Sequence, residues 1–71
     1  MTADVVAPIT GVVWKVLIST GERVALEQPV ILLESMKMEV PAVAPVAGVV
    51  DAILVKPGEA VEEGDKLAVI G

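Results

Sequence analysis

Apolar residues run along this chain in short bursts cut by proline and glycine, and the pattern occurs twice. Ala7-Pro8-Ile9-Thr10-Gly11-Val12-Val13 returns 37 residues later as Ala44-Pro45-Val46-Ala47-Gly48-Val49-Val50. The same step carries Val16-Leu17-Ile18 onto Ile53-Leu54-Val55, Gly21-Glu22 onto Gly58-Glu59, Val24 onto Val61, and Val30 to Leu33 onto Leu67 to Ile70. Each half predicts the same succession: a Pro-x-x-Gly turn, a strand (Val12 to Ile18, Val49 to Val55), a Gly-Glu turn, a polar connection and a final short strand (Val30 to Leu33, Leu67 to Ile70). Proline presets the turn dihedral and glycine tolerates positive φ, so both turns follow from residue type. No stretch free of turn signals keeps a helical period of about 3.6 residues, and no helix is expected. The repeat points to two similar β units related by a pseudo-two-fold axis.

Strict alternation along the first strand of each half would bury a charge. Lys15 would share a face with Val13 and Leu17, and Asp51 with Val49, Ile53 and Val55; an unpaired buried charge is costly. One extra residue near Trp14-Lys15 and near Asp51-Ala52 removes the conflict. With a β-bulge at each place, Val13, Val16 and Ile18 turn inward, as do Val50, Ile53 and Val55, and the charges face water. Stacked face to face, the halves would share one core in a flattened sandwich of two small sheets.

Composition agrees. The chain has 71 residues, 55% of them apolar, and a single aromatic residue, Trp14. That is room for one domain, residues 1–71, whose stability rests on burying Val, Ala, Leu and Ile. There is no cysteine and no histidine, which removes thiolate chemistry and the commonest general base and metal ligand. A net charge of −5 argues against nucleic acid, whose phosphates would repel it; it suits solubility and equally a basic partner surface. No apolar run reaches the roughly 20 residues needed to span a bilayer, and Met1 to Asp4 carry neither a basic nor a signal-like stretch. A cytoplasmic location is the expectation.

Between the halves lies Glu34-Ser35-Met36-Lys37-Met38-Glu39-Val40-Pro41. An antiparallel return is needed here, yet the segment holds no Gly, Asn or Asp, the residues that tight hairpins favour. Broken turn chemistry raises the suspicion of a function. Met36 and Met38 flank Lys37 directly, and Glu34 and Glu39 stand further out. Taken alone, Met-Lys-Met is most simply a solvated lysine between two half-exposed methionines; its place at the junction of two matching halves reverses that judgement.

The segment is similar to the attachment motif of the biotinyl domains of the biotin carboxyl carrier family, and the likeness extends over nearly the whole chain, including the repeat and its glycine turns. The resemblance implies an all-β, flattened β-barrel or sandwich of two four-stranded antiparallel sheets with pseudo-two-fold symmetry. It places a modified lysine at a hairpin tip, at the end away from the termini. By that resemblance Lys37 carries covalent biotin, and Met36 and Met38 serve recognition by a biotin protein ligase and by carboxylase partners. Ser35, Glu34 and Glu39 are further candidates for that recognition, with solvated strand-edge charges an equal reading of the two glutamates. Ser35 stands where the family most often has Ala; it is small enough to keep the shape, and its effect on partner preference stays open. The stretch before Val24 is as short as its repeat partner, so the protruding thumb of some bacterial carriers is not expected. A carrier is not itself an enzyme. The implied role is to shuttle carboxyl groups between a biotin carboxylase and a carboxyltransferase or decarboxylase, and the domain is expected to be monomeric in isolation. Lysine amines are protonated at neutral pH, so the ligase must supply the base.

Two other readings stay open: a lipoyl carrier, which shares the fold but usually shows Asp-Lys-Ala at the tip, and a β interaction module with an unmodified Lys37. Elsewhere, Trp14 reads as partly buried against a neighbouring loop rather than as a partner contact. Glu62, Glu63 and Asp65 read as a solvated acidic loop rather than a metal site, because Gly64 breaks any preorganised spacing. Pro8 and Pro45 read as turn makers.

Overall fold

The computed structural model describes residues 2–71; Met1, the first residue of the stretch tested for a leader, lies outside the described residues. Eight strands follow one another: β1 (Ala3–Val6), β2 (Gly11–Val16), β3 (Arg23–Val24), β4 (Pro29–Ser35), β5 (Met38–Val43), β6 (Gly48–Ile53), β7 (Ala60–Val61) and β8 (Lys66–Ile70). They form two four-stranded antiparallel sheets, in the orders β1-β8-β6-β3 and β5-β4-β2-β7. Among the described residues there is no helix.

A step of 37 residues maps β2 onto β6 and β3 onto β7, end for end, and carries β1 into β5 and β4 into β8. One sheet is thus the symmetry copy of the other. The halves do not simply stack, however. β2 and β4 of the first half form the centre of one sheet, and its β1 and β3 form the edges of the other. The second half does the converse. Backbone bonds between the halves come in matching pairs: Ala7 N–H donates to Asp65 C=O as Ala44 N–H donates to Gln28 C=O, and Val13 N–H to Glu59 C=O as Val50 N–H to Glu22 C=O. Exchanged edges explain the arrangement: a two-stranded unit alone would leave its backbone groups and one apolar face in water.

The expected bulges are present. In the β2–β4 ladder Val13 pairs with Leu33 and Lys15 with Leu32, leaving Trp14 as the extra residue. In the β6–β8 ladder Val50 pairs with Ile70 and Ala52 with Val69, leaving Asp51. Lys15 and Asp51 are exposed, Val13, Ile18 and Val50 are buried, and Val16, Ile53 and Val55 pack against the core at partial burial. A second pair of bulges does not follow from the sequence reading. Val30 is extra between the Pro29–Val43 and Ile31–Ala42 pairs, and Leu67 between the Val5–Ala68 and Val6–Lys66 pairs. Each turns two successive residues inward, which is why Val30-Ile31 and Leu67-Ala68 are all fully buried.

The core is built from the same positions in both halves: Val5 and Ala42, Ala7 and Ala44, Val13 and Val50, Val24 and Val61, Val30 and Leu67, Ile31 and Ala68, Leu33 and Ile70. Among the described residues no polar or charged side chain is buried, so burial of Val, Leu, Ile and Ala stabilises the fold with no buried charge to compensate.

Candidate functional site

β4 and β5 form a hairpin in which Ser35 pairs with Met38, leaving two residues, Met36 and Lys37, in the turn. Both have positive φ, 50° at Met36 and 65° at Lys37. Positive φ at both central positions is the signature of a type I′ turn, whose twist matches that of the strands it joins. Asn-Gly normally takes those positions. Here two long side chains hold left-handed backbone at a cost of about 1–2 kcal/mol each. The local two-fold of the hairpin therefore lies between Met36 and Lys37 rather than at the lysine that the two methionines flank in sequence.

Lys37 is exposed, and among the described residues it forms no ion pair. Met36 is 92% exposed and Met38 65%. Other lysines are engaged: Lys66 Nζ lies 3.5 Å from Asp4 Oδ2, and Lys15 Nζ lies 4.6 Å from the centre of the Trp14 ring. Trp14 itself stays exposed on the bulge with Lys15 over its face, rather than packing under a loop. Lys56 is exposed too, but in the Gly58 turn rather than at a hairpin tip.

Ser35 is half-buried at the last pair before the turn, and Glu34 and Glu39 are exposed and face each other directly across the hairpin. Like charges in such a pair destabilise it by a few tenths of a kcal/mol. The tip's neighbours come from β2, where Val12 pairs with Glu34 on one side and Ala60 on the other. Gly11 is required at this crossing: a Cβ there would lie 2.5 Å from the Glu34 carbonyl oxygen and 3.3 Å from Ser35 Cβ. Thr10 Oγ1 accepts a 3.1 Å hydrogen bond from Glu63 N–H, tying the Glu62-Glu63-Gly64-Asp65 loop to the same end of the sheet. The sequence read Gly11 as a turn glycine chosen for positive φ, but its φ is not positive and the close approach to Glu34 is what demands glycine; to Thr10 it assigned no role. The signal for Thr10 was there: its repeat partner is Ala47, which has no hydroxyl. Among the described residues no group of three or more acidic side chains is arranged to hold a metal ion.

The donor set fits a covalently held acyl group. The site offers one exposed primary amine with an uncharged, apolar thioether on either side of it along the chain. Among the described residues it offers no histidine or thiol to act as a general base.

The chain belongs to the family described as biotin-requiring enzyme, which it matches over residues 1–70. It is 43% identical over 70 residues to a biotinylated protein TB7.3 homolog of Mycobacterium leprae, covering 99% of each. It is 57% identical over 35 residues to the biotin carboxyl carrier protein of acetyl-CoA carboxylase from Solanum lycopersicum, about half of each chain. Among solved structures, all of it superposes on part of the Kluyveromyces lactis urea carboxylase with a TM-score of 0.94 and 37% identity, matching 6% of that chain. A single-chain, multi-domain long-chain acyl-CoA carboxylase matches 96% of it with a TM-score of 0.87 and 32% identity, over 7% of its own length. The family expected from the residues is the family found, and the two-sheet fold agrees with these neighbours.

Proposed function

We propose that Lys37 is the attachment point of biotin and that the chain, a single domain over residues 1–71, is a carrier serving a biotin-dependent carboxylase or decarboxylase in the cytoplasm. The observation that carries this reading is an unpaired lysine in left-handed turn backbone between two uncovered methionines. A strained turn kept with Met-Lys, where Asn-Gly would relax it, is best explained by a need for those side chains.

In this reading a biotin protein ligase docks on the tip. Lys37 supplies the attacking amine once the ligase has taken a proton from it: the amine attacks the biotin carboxyl that the ligase has activated with ATP, the C–N bond forms as the activating phosphate-linked group departs, and the positive charge is lost. Met36 and Met38 give the ligase an adaptable apolar surface on either side of the amine. Glu34 and Glu39, with Glu62 and Glu63 on the neighbouring loop, favour approach by a basic surface. When bound, biotin would supply a ureido nitrogen able to take up and release a carboxyl group. The rigid sandwich holds the base of the arm while the lysine stem swings, so one tethered group can visit a biotin carboxylase and a carboxyltransferase at high effective concentration without tight binding. The domain works as a monomer, since nothing in this role requires a second copy.

Incubation with biotin protein ligase, ATP and biotin, followed by a labelled-avidin blot, tests the reading. Label on the wild type and none on Lys37→Ala is expected. An unlabelled wild type, or label that persists in Lys37→Ala, contradicts it; lipoylation in place of biotinylation would identify the lipoyl carrier.

A further inference from the structure

Among the described residues the core contains no sulfur: every buried residue is Val, Ala, Ile or Leu. The chain has no cysteine and three methionines, of which Met36 and Met38 lie among the described residues, both uncovered and both adjacent to Lys37 in sequence. Met36 projects from left-handed turn backbone, and Met38 follows at the first pair of the hairpin. We propose that these two thioethers form a reversible oxidation site for peroxide-class oxidants, where sulfoxide formation lowers acceptance of Lys37 by its modifying enzyme while leaving the fold intact. The last link rests on the reading of Lys37 given above.

The chemistry needs one co-reactant, hydrogen peroxide. The thioether sulfur attacks a peroxide oxygen, an S–O bond forms and the O–O bond breaks. Sulfur gives up two electrons, and the departing hydroxide takes the remaining proton and leaves as water. A methionine sulfoxide reductase returns the oxygen as water at the expense of two thiols, which become a disulfide. Exposure governs access, so Met36 reacts before Met38. Methionine oxidation commonly damages proteins by placing a polar sulfoxide in a core. Here no described core position can be reached that way. The change is confined to the surface that flanks the amine, where a flexible apolar contact becomes a polar, chiral one. Full oxidation changes both sides of Lys37, and no thiol on this chain competes for the oxidant.

The test treats the apo protein with hydrogen peroxide and maps peptides by mass. One added oxygen on Met36 first and then on Met38 is expected, at rates close to those of an unstructured methionine peptide, with Met1 resolved on its own peptide. The melting temperature should move by no more than about 2 °C, since no buried contact is lost. Ligase kinetics on the doubly oxidised protein should show KM raised about five- to tenfold, the loss of part of a methionine's apolar contact, with reductase treatment restoring it. A double Met36→Leu, Met38→Leu protein should have the same KM before and after peroxide. The proposal is overturned by oxidation at least about tenfold slower than in the free peptide, by a fall in melting temperature of several degrees, by an unchanged KM on the doubly oxidised protein, or by a peroxide effect that survives in the double leucine variant. Failure of the untreated protein to take biotin on Lys37 would instead remove the functional reading, and the oxidation site would then be judged on mass and melting alone.

Discussion

Moved 37 residues along the chain, Trp14 becomes Asp51, Glu27 becomes Gly64, and Ala25, Leu26 and Gln28 become Glu62, Glu63 and Asp65. The backbone under them hardly notices. Ser19 N–H donates to Glu22 Oε1 as Lys56 N–H donates to Glu59 Oε1, and Ala25 N–H to Gln28 Oε1 as Glu62 N–H to Asp65 Oδ2. The skeleton is thus set by the repeated turns, bulges and core positions, and the surface is free to diverge. It has diverged by end. The end that holds Lys37 carries Glu34, Glu39, Glu62 and Glu63. The symmetry-related end puts Ala25 and the 60% exposed Leu26 where the acidic pair stands. The hairpin differs most: Leu33 opposite Val40 leads into the Met36-Lys37 turn, whereas its counterpart, Ile70 opposite Ala3, leads into no turn at all.

If the halves are equivalent in the core, equivalent truncations should cost alike. Leu33→Ala and Ile70→Ala, both at fully buried sites, should each destabilise by about 2–5 kcal/mol; urea unfolding that separated them by more than about 2 kcal/mol would break the equivalence. The glycine pair separates the two ends of the molecule. A Cβ at Gly48 would lie 2.7 Å from the Gly71 carbonyl oxygen, much as one at Gly11 meets Glu34, so both alanine variants should lose about 1–3 kcal/mol. Amide chemical shifts at Met36 to Met38 should move in Gly11→Ala and stay put in Gly48→Ala. Backbone conformation supplies a smaller effect of opposite sign. Glu27 has φ of 66° where Gly64 has 89°, so Glu27→Gly should raise stability by up to about 1 kcal/mol while Gly64→Ala lowers it by a similar amount, read as opposite shifts in melting temperature. Smallest is the facing pair at the tip. Glu34→Gln should stabilise by a few tenths of a kcal/mol at low salt, with the gain vanishing as ionic strength rises.

Much of this was legible because particular residues leave few choices. Lys15 and Asp51 cannot face inward, and that constraint alone requires two bulges. The Gly-Glu turns and the spacing of Val24 and Val61 carried the two-fold. Less legible were the elements whose evidence is not in residue type. β3 and β7 are two residues long, too short for any period to register. β5 contains Pro41, which argues against a strand and is tolerated because β5 lies at a sheet edge. The exchange of edge strands between halves is a matter of partner choice, on which alternation is silent. At the tip, the identity of Lys37 was plain from its neighbours, but the two-residue turn was not, because Met and Lys are poor predictors of left-handed backbone.

That Lys37 is the one biotinylated amine can be read from fragment masses of the protein after coexpression with a biotin ligase. A biotinyl adduct is expected on the peptide spanning Met36 to Met38 alone, with Lys15, Lys56 and Lys66 unmodified. An adduct on any of those three, or an unmodified Lys37 in protein that avidin still captures, would contradict it.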